Sequence, residues 1–429
     1  MSAALRHWLH RRRHPVRYAH LARLLHTQAL DRDALTAYTQ QALAEIVEHA
    51  VTHTRYYTET LGPLHDRVPF DALPILAKDA VLARLDDLLA DDADRSRVKI
   101  GHTGGSTGKP LAFWYDDAKH ELMRGGMMRS YMLSGWRPGQ KIVNFWGARQ
   151  DVVAGGVFGA HYGDFVAAEH TIAAYEYDEA KLVDWARFVQ RYRPVLLQGY
   201  ASVLADLADV VIAQRLAMPA TLVGVYSTAE VLDRGQRARI EQAFGCRVHN
   251  QYGSREIPNI ACECRAGAMH VFTDMVHLES TPADHRLLVT SLTNRLMPMI
   301  RYDIGDRGRL VGGACRCGLP FPLMEMDMCR QNDLIRTRGG RTVHPSYFNR
   351  LLYGETRIRQ YQWVQEAVDR ITLRVVAAAP LDDATLAALG RRIREDVDRE
   401  MALAIDYVDA IERTVSGKHR YVIGLPGGR

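Results

Sequence analysis

Hydrophobic residues recur along the chain with two spacings, one typical of helices and one typical of buried strands. Residues 33–62 carry apolar side chains at helical intervals. Short apolar runs at 195–199 and 222–226 predict buried strands, and helical patterns at 181–191 and 234–244 alternate with them. Because strands that alternate with helices usually form a parallel sheet, the pattern predicts an α/β fold.

The pattern changes towards the C-terminus, where strands and turns replace the alternation. A strand predicted at 371–376 and an amphipathic helix predicted at 383–402 indicate a small α+β unit. We therefore expect an N-terminal domain over residues 1–331, with a strand-rich part at about 283–330, and a C-terminal domain over residues 332–429.

The composition is that of a globular protein. Hydrophobic residues make up 47% of the 429 positions, and the formal net charge is +5. That charge is modest for the length, so we expect no nucleic-acid partner. Six cysteines in a chain of this length do not make a disulfide framework, and we expect a reducing compartment, the cytoplasm.

The N-terminus is strongly basic, because six arginines precede the first acidic residue, Asp31. No apolar run there is long enough for a signal peptide or a membrane span. We interpret the segment as a solvated basic helix and expect no membrane partner. An organellar presequence and a transient contact with an anionic membrane surface are the alternatives.

The segment Thr103–Pro110 predicts a loop that binds phosphate. It contains three glycines, three hydroxyl residues and a lysine. Glycines allow backbone N–H groups to approach a phosphate closely, and hydroxyls and an ammonium group bind its oxygens. The sequence departs from the Walker pattern, because Thr103 replaces the first glycine and Pro110 replaces the hydroxyl residue after Lys109. A flexible loop over a triphosphate is therefore predicted, and a plain surface loop is the alternative.

Five motifs in this order resemble those of the adenylate-forming enzymes of the acyl-CoA synthetase superfamily, in the branch of phenylacetate–CoA ligases and capsule-biosynthesis ligases. The first is the glycine-rich loop. The others are Tyr226–Glu230, Asn250–Glu256, Arg301–Asp306 and Glu412–Lys418. The resemblance covers nearly the whole chain. It implies a large N-terminal α/β domain of several subdomains and a small mobile α+β C-terminal domain.

The resemblance implies an enzyme that uses ATP and Mg²⁺ to convert a carboxylic acid into an acyl-adenylate and pyrophosphate. The acyl group then passes to a thiol, by default that of coenzyme A. An amine or a carrier protein as acceptor would leave the same adenylation motifs, as in an amide or ester ligase of polysaccharide or natural-product synthesis. A third interpretation is that the chain is a nucleotide-binding protein that has lost catalytic activity.

The resemblance also assigns roles to single residues. Lys418 would bridge the carboxylate and the α-phosphate, Glu256 would bind Mg²⁺, and the hinge would lie at Asn332, where the family has Asp or Lys. The acid would lie near Trp146, Gly147, Tyr200 and Tyr226. The nucleotide would contact Thr103, Gly105, Ser106, Thr107, Gly108, Lys109, Glu230, Tyr252, Gly253, Asp306 and Arg330.

Two Cys-x-Cys pairs, with a histidine between them, have the composition of a metal site. Thiolates and an imidazole in a set of four suit tetrahedral Zn²⁺. We expect Cys264, His270, Cys315 and Cys317 to hold a structural zinc ion, with Cys262 as an alternative ligand. Relatives in the ligase branch often have a comparable site. Separately buried thiols are the plain alternative, and a zinc-ribbon binding module is the alternative function.

Overall fold

The computed structural model describes residues 1–103, 111–146, 168–174, 177–330, 335–339, 342–343, 347–348, 351–352, 355, 357–412 and 419–425. The α-helices within these ranges are α1 (Ala3–Arg13), α2 (Pro15–Gln28), α3 (Arg32–His53), α4 (Arg55–Thr60), α5 (Lys78–Ala83), α6 (Asp117–Leu133), α7 (Glu179–Tyr192), α8 (Ala201–Ala213), α9 (Arg234–Phe244) and α10 (Asp383–Asp396). Short 3₁₀ helices lie at Phe70–Ala72 and Asp86–Leu88.

The strands within the described ranges are β1 (Lys99–His102), β2 (Ala112–Tyr115), β3 (Ile142–Trp146), β4 (Glu169–Ala173), β5 (Leu196–Tyr200), β6 (Gly224–Thr228), β7 (Val248–Tyr252), β8 (Ala261–Glu263), β9 (Met269–Val271), β10 (Val276–Ser280), β11 (Arg286–Ser291), β12 (Tyr302–Val311), β13 (Leu323–Arg330), β14 (Ile335–Arg336), β15 (Thr342–Val343), β16 (Ile358–Ala367), β17 (Arg370–Ala377), β18 (Ala402–Tyr407) and β19 (Val422–Ile423).

The chain divides into two compact units. One consists of Met1–Ile304 with Gly308–Met326, and the other of Gly305–Arg307 with Asp327–Arg429. The domain boundary expected at 331/332 remains a prediction.

The N-terminal unit is built on a sheet whose strand order begins β4-β3-β5-β6-β7, with all five strands parallel. This confirms the α/β class expected from the alternating pattern. Helices α7, α8 and α9 connect successive strands. Asp233 begins α9 with a capping box, and Gly245 ends it at φ 65°, a conformation that glycine adopts without strain.

The sheet continues from β7 with antiparallel strands. Strands β8 and β9 form a hairpin, β13 pairs with β9, and β10 pairs with β11. Separately, β1 and β2 form an antiparallel pair in which His102 lies opposite Ala112. The antiparallel strands of the large sheet therefore begin at Ala261, earlier in the chain than the pattern indicated.

The C-terminal unit has a four-stranded sheet in the order β18-β17-β16-β19. Helix α10 lies between β17 and β18 in the sequence. Its core contains the buried side chains of Trp363, Leu373 and Ile393. The predicted strand at 371–376 is confirmed as part of β17. The helix predicted over 383–402 is shorter, because Ala402 already pairs with Arg370 as the first residue of β18.

One predicted helix is two helices in the structure. The apolar periodicity over 33–62 continues across Thr54, but the backbone there is extended, with φ −124° and ψ 132°. The Thr54 side chain accepts a hydrogen bond from the N–H of Tyr57 and so begins α4. A threonine in this position is a capping signal that the periodicity does not detect.

Helix α6 passes through the N-terminal unit with most of its C-terminal half buried. Two adjacent glycines let it pack closely on two sides. A Cβ at Gly125 would lie 3.1 Å from the carbonyl oxygen of Arg17 in α2, and one at Gly126 would lie 2.6 Å from Nδ2 of Asn259. Asn259 donates a hydrogen bond from that amide to the carbonyl of Met123. Two neighbouring elements therefore approach the α6 backbone directly.

A buried ion pair joins α6 to the segment before β10. The Arg129 guanidinium donates to both carboxylate oxygens of Asp274 at 2.5 and 3.1 Å, and both side chains are completely buried. Thr27 of α2 donates a further hydrogen bond to Asp274. The guanidinium also lies 4.1 Å from the ring centre of Phe272 and 5.3 Å from that of Phe321.

None of the helices in the described ranges is both long enough and apolar enough to span a bilayer.

We expect Asp274→Ala to lower the free energy of unfolding by about 3–5 kcal/mol, because it leaves the Arg129 charge buried without its partner. Glu325→Ala is the matched control. It breaks an exposed pair with Arg309, and we expect it to cost less than about 1 kcal/mol. Urea unfolding measures both variants, and equal losses would contradict the importance of the buried pair.

Candidate functional site

The carboxyl ends of four neighbouring parallel strands meet at one edge of the large sheet. Strands β3, β5, β6 and β7 end at Trp146, Tyr200, Thr228 and Tyr252. In open α/β sheets, ligands bind outside the carboxyl ends of the strands. Several of the residues predicted from sequence therefore lie at the edge where this architecture places a ligand.

The residues predicted to hold the acid fall into two groups. The rings of Trp146 and Tyr200 lie 5.2 Å apart, and both are buried at the strand ends. Tyr226 lies within β6, where its ring packs 4.9 Å from that of Tyr131 in α6. Only 1% of Tyr226 is exposed. Gly147 lies outside the described residues, and the pocket assignment as a whole remains a prediction.

Glu230 follows β6 at the start of a connection. Its carboxylate accepts a hydrogen bond from the backbone N–H of Ser202, at 2.8 Å, in the first turn of α8. Ala229, before it, has φ 68°, which turns the chain sharply at the end of the strand. The helix N-terminus therefore fixes the position of Glu230.

The turn after β7 is closely packed and internally hydrogen-bonded. Ser254 accepts from the N–H of Ile257 at 3.0 Å, and Ile260 donates to the carbonyl of Tyr252. A Cβ at Gly253 would lie 2.9 Å from the backbone nitrogen of Asn259, so only glycine fits there without a shift. This packing holds Tyr252 and Gly253 at the strand end.

Glu256, in the same turn, has the character of a cation ligand. It is 5% exposed, and its Oε2 has no hydrogen-bond partner among the described residues. An unpaired carboxylate oxygen is costly to bury unless a cation or a donor reaches it. Carboxylate oxygen is also the ligand type that Mg²⁺ prefers.

Lys119 lies beside this turn and was not identified from the sequence. Its ammonium donates to the carbonyl oxygen of Glu256 at 2.9 Å and lies 5.2 Å from the ring centre of Phe113. Burial lowers the pKa of Lys119 to about 8, although the charges of Glu256 and Asp116 act in the opposite direction. A single lysine near the start of a helix gives no sequence signal of such a contact.

The start of the glycine-rich loop is adjacent to the turn that carries Glu256. Arg255 donates to the carbonyl of His102 at 3.2 Å. Thr103 follows, and its backbone N–H and its side-chain oxygen both bond to Leu111, at 2.8 and 2.9 Å. The two ends of the loop are thus paired with each other. Gly105, Ser106, Thr107, Gly108 and Lys109 lie outside the described residues.

The remaining predicted nucleotide and hinge residues are located only in part. Asp306 lies in β12 and is 8% exposed. Arg330 ends β13, and its side chain is outside the described set. Lys418 and Asn332 also lie outside the described residues. The roles of these four residues remain predictions.

The four predicted metal ligands lie together. One ligand atom from each of Cys264, His270, Cys315 and Cys317 lies within 4.8 Å of the others. The sulphurs of Cys264 and Cys315 are 3.6 Å apart, and that of Cys317 is 3.3 Å from His270 Nε2. The four residues come from the β8–β9 hairpin and from the loop between β12 and β13.

The surroundings of these four side chains also suit a metal. His270 Nδ1 lies 3.2 Å from the carbonyl oxygen of Phe321, which can only accept, so Nε2 is left to act as a ligand. The backbone N–H groups of Ala266 and Cys317 point at the sulphurs of Cys264 and Cys315. Such N–H groups stabilise a thiolate.

Cys262, the alternative ligand, lies elsewhere. Its sulphur is 3.7 Å from the Tyr226 hydroxyl, and the side chain is completely buried. Cys262 lies in β8, between Ala261 and Glu263. Successive side chains of a strand point to opposite faces, so Cys262 and Cys264 would share a face only if the strand stayed regular as far as Cys264. Strand β8 ends at Glu263, and the sulphur of Cys264 lies 3.6 Å from that of Cys315.

Residues 334–424 match the CapK C-terminal domain. CapK of Staphylococcus aureus is 24% identical over 417 residues, which cover 89% of this chain and 88% of CapK. The phenylacetate-coenzyme A ligase of Thermus thermophilus is 24% identical over 450 residues, covering 93% of this chain and 98% of that ligase.

A solved structure of 2-hydroxyisobutyryl-CoA ligase in the postadenylation state, in complex with R3-HIB-AMP, has the same fold. It superimposes with a TM-score of 0.72 at 18% identity and covers 93% of this chain and 91% of its own. The same ligase with 2-HIB-AMP and CoA in the thioesterification state gives a TM-score of 0.60 at 19% identity, covering 92% of this chain and 91% of its own.

The lowered pKa of Lys119 predicts a rise in stability at alkaline pH. The unfolded chain binds the Lys119 proton up to its ordinary pKa of 10.5, whereas the folded chain releases it at about 8. The penalty of burying the charge is therefore complete below pH 8 and is relieved as the pH rises to 10.5. We expect the unfolding free energy of the wild type, relative to Lys119→Met, to increase by up to roughly 3 kcal/mol across this window.

Urea unfolding at several pH values measures this difference. Lys99→Met, at an exposed lysine paired with Asp117, controls for the loss of any lysine. If the unfolding free energies of the wild type and Lys119→Met change with pH in the same way, then burial does not lower the pKa of Lys119.

Proposed function

Because the chain is a homologue of CapK and of phenylacetate-coenzyme A ligases and has the fold of the adenylate-forming ligases, we propose that it activates a carboxylic acid with ATP and transfers the acyl group to coenzyme A. The observation that carries this proposal is the position of Glu256. Its buried, unpartnered carboxylate oxygen lies in a turn that is hydrogen-bonded, through Arg255, to the start of the glycine-rich loop.

In the first half-reaction, a carboxylate oxygen of the acid attacks the α-phosphorus of ATP, and pyrophosphate leaves. The attacking group and the phosphates are all negative, so the site needs cations and N–H donors. The loop from Thr103 to Lys109 would hold the β- and γ-phosphates. Lys418 would bridge the acid and the α-phosphate. The carboxylate is already ionised at neutral pH, so no catalytic base is needed.

Magnesium fits the Glu256 carboxylate, and when bound it would offset phosphate charge. Lys119 keeps this carboxylate in place through the main chain, because it donates to the Glu256 carbonyl. Arg255 links the same turn to the start of the glycine-rich loop. The adenine and ribose would be held by Tyr252, Asp306 and Arg330.

In the second half-reaction, the thiol of coenzyme A attacks the acyl carbonyl and AMP leaves. The related 2-hydroxyisobutyryl-CoA ligase has been solved in both a postadenylation and a thioesterification state. We propose a comparable change here, with the C-terminal domain turning about Asn332. Within the C-terminal unit, Arg338 is engaged by Asp369 and Glu400. Arg336, Arg338 and Arg341 are the arginines that we propose could meet a phosphate of coenzyme A, and Arg341 lies outside the described residues.

We further propose that Cys264, His270, Cys315 and Cys317 bind a structural zinc ion. Four protein ligands leave no open coordination position, which suits a structural role and not a catalytic one. The ion would fix the loop between β12 and β13 to the β8–β9 hairpin, close in sequence to the turn of Glu256. The cytoplasm is the compartment in which these thiols would stay reduced.

ATP–pyrophosphate exchange with a panel of aromatic and aliphatic acids tests the first half-reaction. We expect Lys418→Ala and Glu256→Gln to lower exchange by about 100-fold or more, because each removes a charge that acts on the phosphates. Lys181→Ala, at an exposed lysine in α7, is the control and should retain full exchange. An unchanged rate in Lys418→Ala, or no exchange with any acid, would contradict the proposal. Repeating the active acids with coenzyme A and with simple amines identifies the acceptor.

The zinc proposal is tested by metal analysis and thermal unfolding together. We expect about one zinc per chain in the wild type, and its loss together with a lower Tm in Cys315→Ser. Cys246→Ser changes a half-buried thiol outside the set and should retain the metal. A wild-type protein purified without any bound metal, and unable to take up zinc, would refute the assignment.

A further inference from the structure

Helix α1 has its polar side towards the protein and an apolar side towards solvent, which is the reverse of an ordinary surface helix. On the inner side, Arg6 donates to the carbonyl of Gly139 at 2.7 Å, and buried His10 lies 2.9 Å from the Tyr18 hydroxyl. On the outer side, Leu5 and Trp8 are 47% and 52% exposed. The side of α1 that faces the protein therefore makes polar contacts through Arg6 and His10.

Exposed apolar residues are concentrated at the N-terminus of the chain. Leu5, Trp8 and Arg12 follow each other at helical spacing on α1. Met1, just before α1, and Val16, at the start of α2, are also exposed. Ten large hydrophobic residues in the described part of the chain are exposed, and four of them are Met1, Leu5, Trp8 and Val16. The other six are spread along the rest of the described sequence, so exposed residues of this kind are concentrated at the N-terminus.

The C-terminal end of the same helix is strongly cationic. Arg11, Arg12 and Arg13 end the helix and are all exposed. The Arg12 guanidinium lies 4.6 Å from the ring centre of Trp8, so charge and aromatic surface are adjacent. The first acidic residue of the sequence is Asp31, and no carboxylate within α1 or α2 offsets the arginines. Helices that lie in the headgroup region of a bilayer typically carry tryptophan and leucine next to arginines, as α1 does.

Helices α1 and α2 together form the N-terminal hairpin, and contacts of this hairpin hold α1 firmly on the protein. Arg17 of α2 makes a bidentate pair with Glu121 of α6, at 2.8 and 3.1 Å, and also contacts His10. A Cβ at Gly139 would lie 2.2 Å from the carbonyl oxygen of Ala3, so the chain before β3 fits closely against α1. A surface bound to the outer face would therefore hold the whole N-terminal unit.

We propose that the outer face of α1, with Val16, is a docking surface for an anionic lipid bilayer. Arginines pair with lipid phosphates while Leu5 and Trp8 enter the headgroup boundary. From sequence alone we interpret the basic N-terminus as a solvated helix, because the sequence does not tell which side faces solvent. The orientation of the helix favours the membrane, since a solvated helix would turn its tryptophan inwards and its histidines outwards.

Co-sedimentation with sucrose-loaded vesicles, without nucleotide, tests this proposal separately from catalysis. We expect the protein to sediment with vesicles of equimolar phosphatidylcholine and phosphatidylglycerol, to bind phosphatidylcholine alone much less, and to be released by salt well above about 0.15 M. Arg11→Gln/Arg12→Gln/Arg13→Gln should lose roughly 100-fold in affinity, because each arginine near an anionic surface contributes about fivefold.

Leu5→Ser/Trp8→Ser tests the apolar part and should weaken binding at any salt concentration. The control, Arg391→Gln/Arg392→Gln/Arg394→Gln, removes the same charge from the exposed side of α10 and should bind like the wild type. Unchanged thermal unfolding shows that the variants fold. Binding that is independent of phosphatidylglycerol or unaffected by the α1 substitutions would overturn the proposal. So would a change from dimer to monomer in the α1 variants without vesicle binding, since the face would then be a contact between two copies.

Discussion

The buried pair of Arg129 and Asp274 is the interaction on which the arrangement of the N-terminal unit depends. It fixes α6 against the antiparallel half of the sheet, and the same guanidinium stacks near Phe321, whose carbonyl orients His270 in the cysteine cluster. At its other end, α6 carries Lys119, which holds the turn after β7. Because both charges of the pair are withdrawn from water, neither can move without a large loss of free energy. One helix thus sets the positions of the core, the proposed metal site and the proposed nucleotide site.

The parallel half of the sheet could be predicted from the sequence because its strands are buried on both faces. Such strands appear as unbroken apolar runs, and the helices between them carry their own end signals, as at Asp233 and Gly245. The cysteine cluster could be predicted for a different reason. Thiols in close pairs have few structural uses in a chain of this length, so pairs such as Cys315 and Cys317 are informative without any knowledge of the fold.

The sequence did not indicate α6 or the residues that it positions. A helix that is buried on most sides has no solvent face, so its apolar residues do not repeat with a clear period, and its polar residues are paired inside the protein. Arg129 and Lys119 therefore resemble ordinary surface residues until their partners are known. The different packing of these aromatic residues was hidden as well. The Tyr226 ring packs against Tyr131 of α6, whereas the rings of Trp146 and Tyr200 pack against each other.

The two glycines in the middle of α6 set how closely the neighbouring elements approach that helix. With no side chain at either position, the backbone of α2 comes close to α6 at Gly125 and the amide of Asn259 comes close to it at Gly126. A methyl group at Gly126 would push the Asn259 amide away and one at Gly125 would push α2 away, so each residue sets one of two gaps independently. Residue size at these two positions therefore determines how closely α2 and Asn259 can approach α6. A related sequence with a larger residue at position 125 must hold the N-terminal hairpin farther from α6 than this chain does.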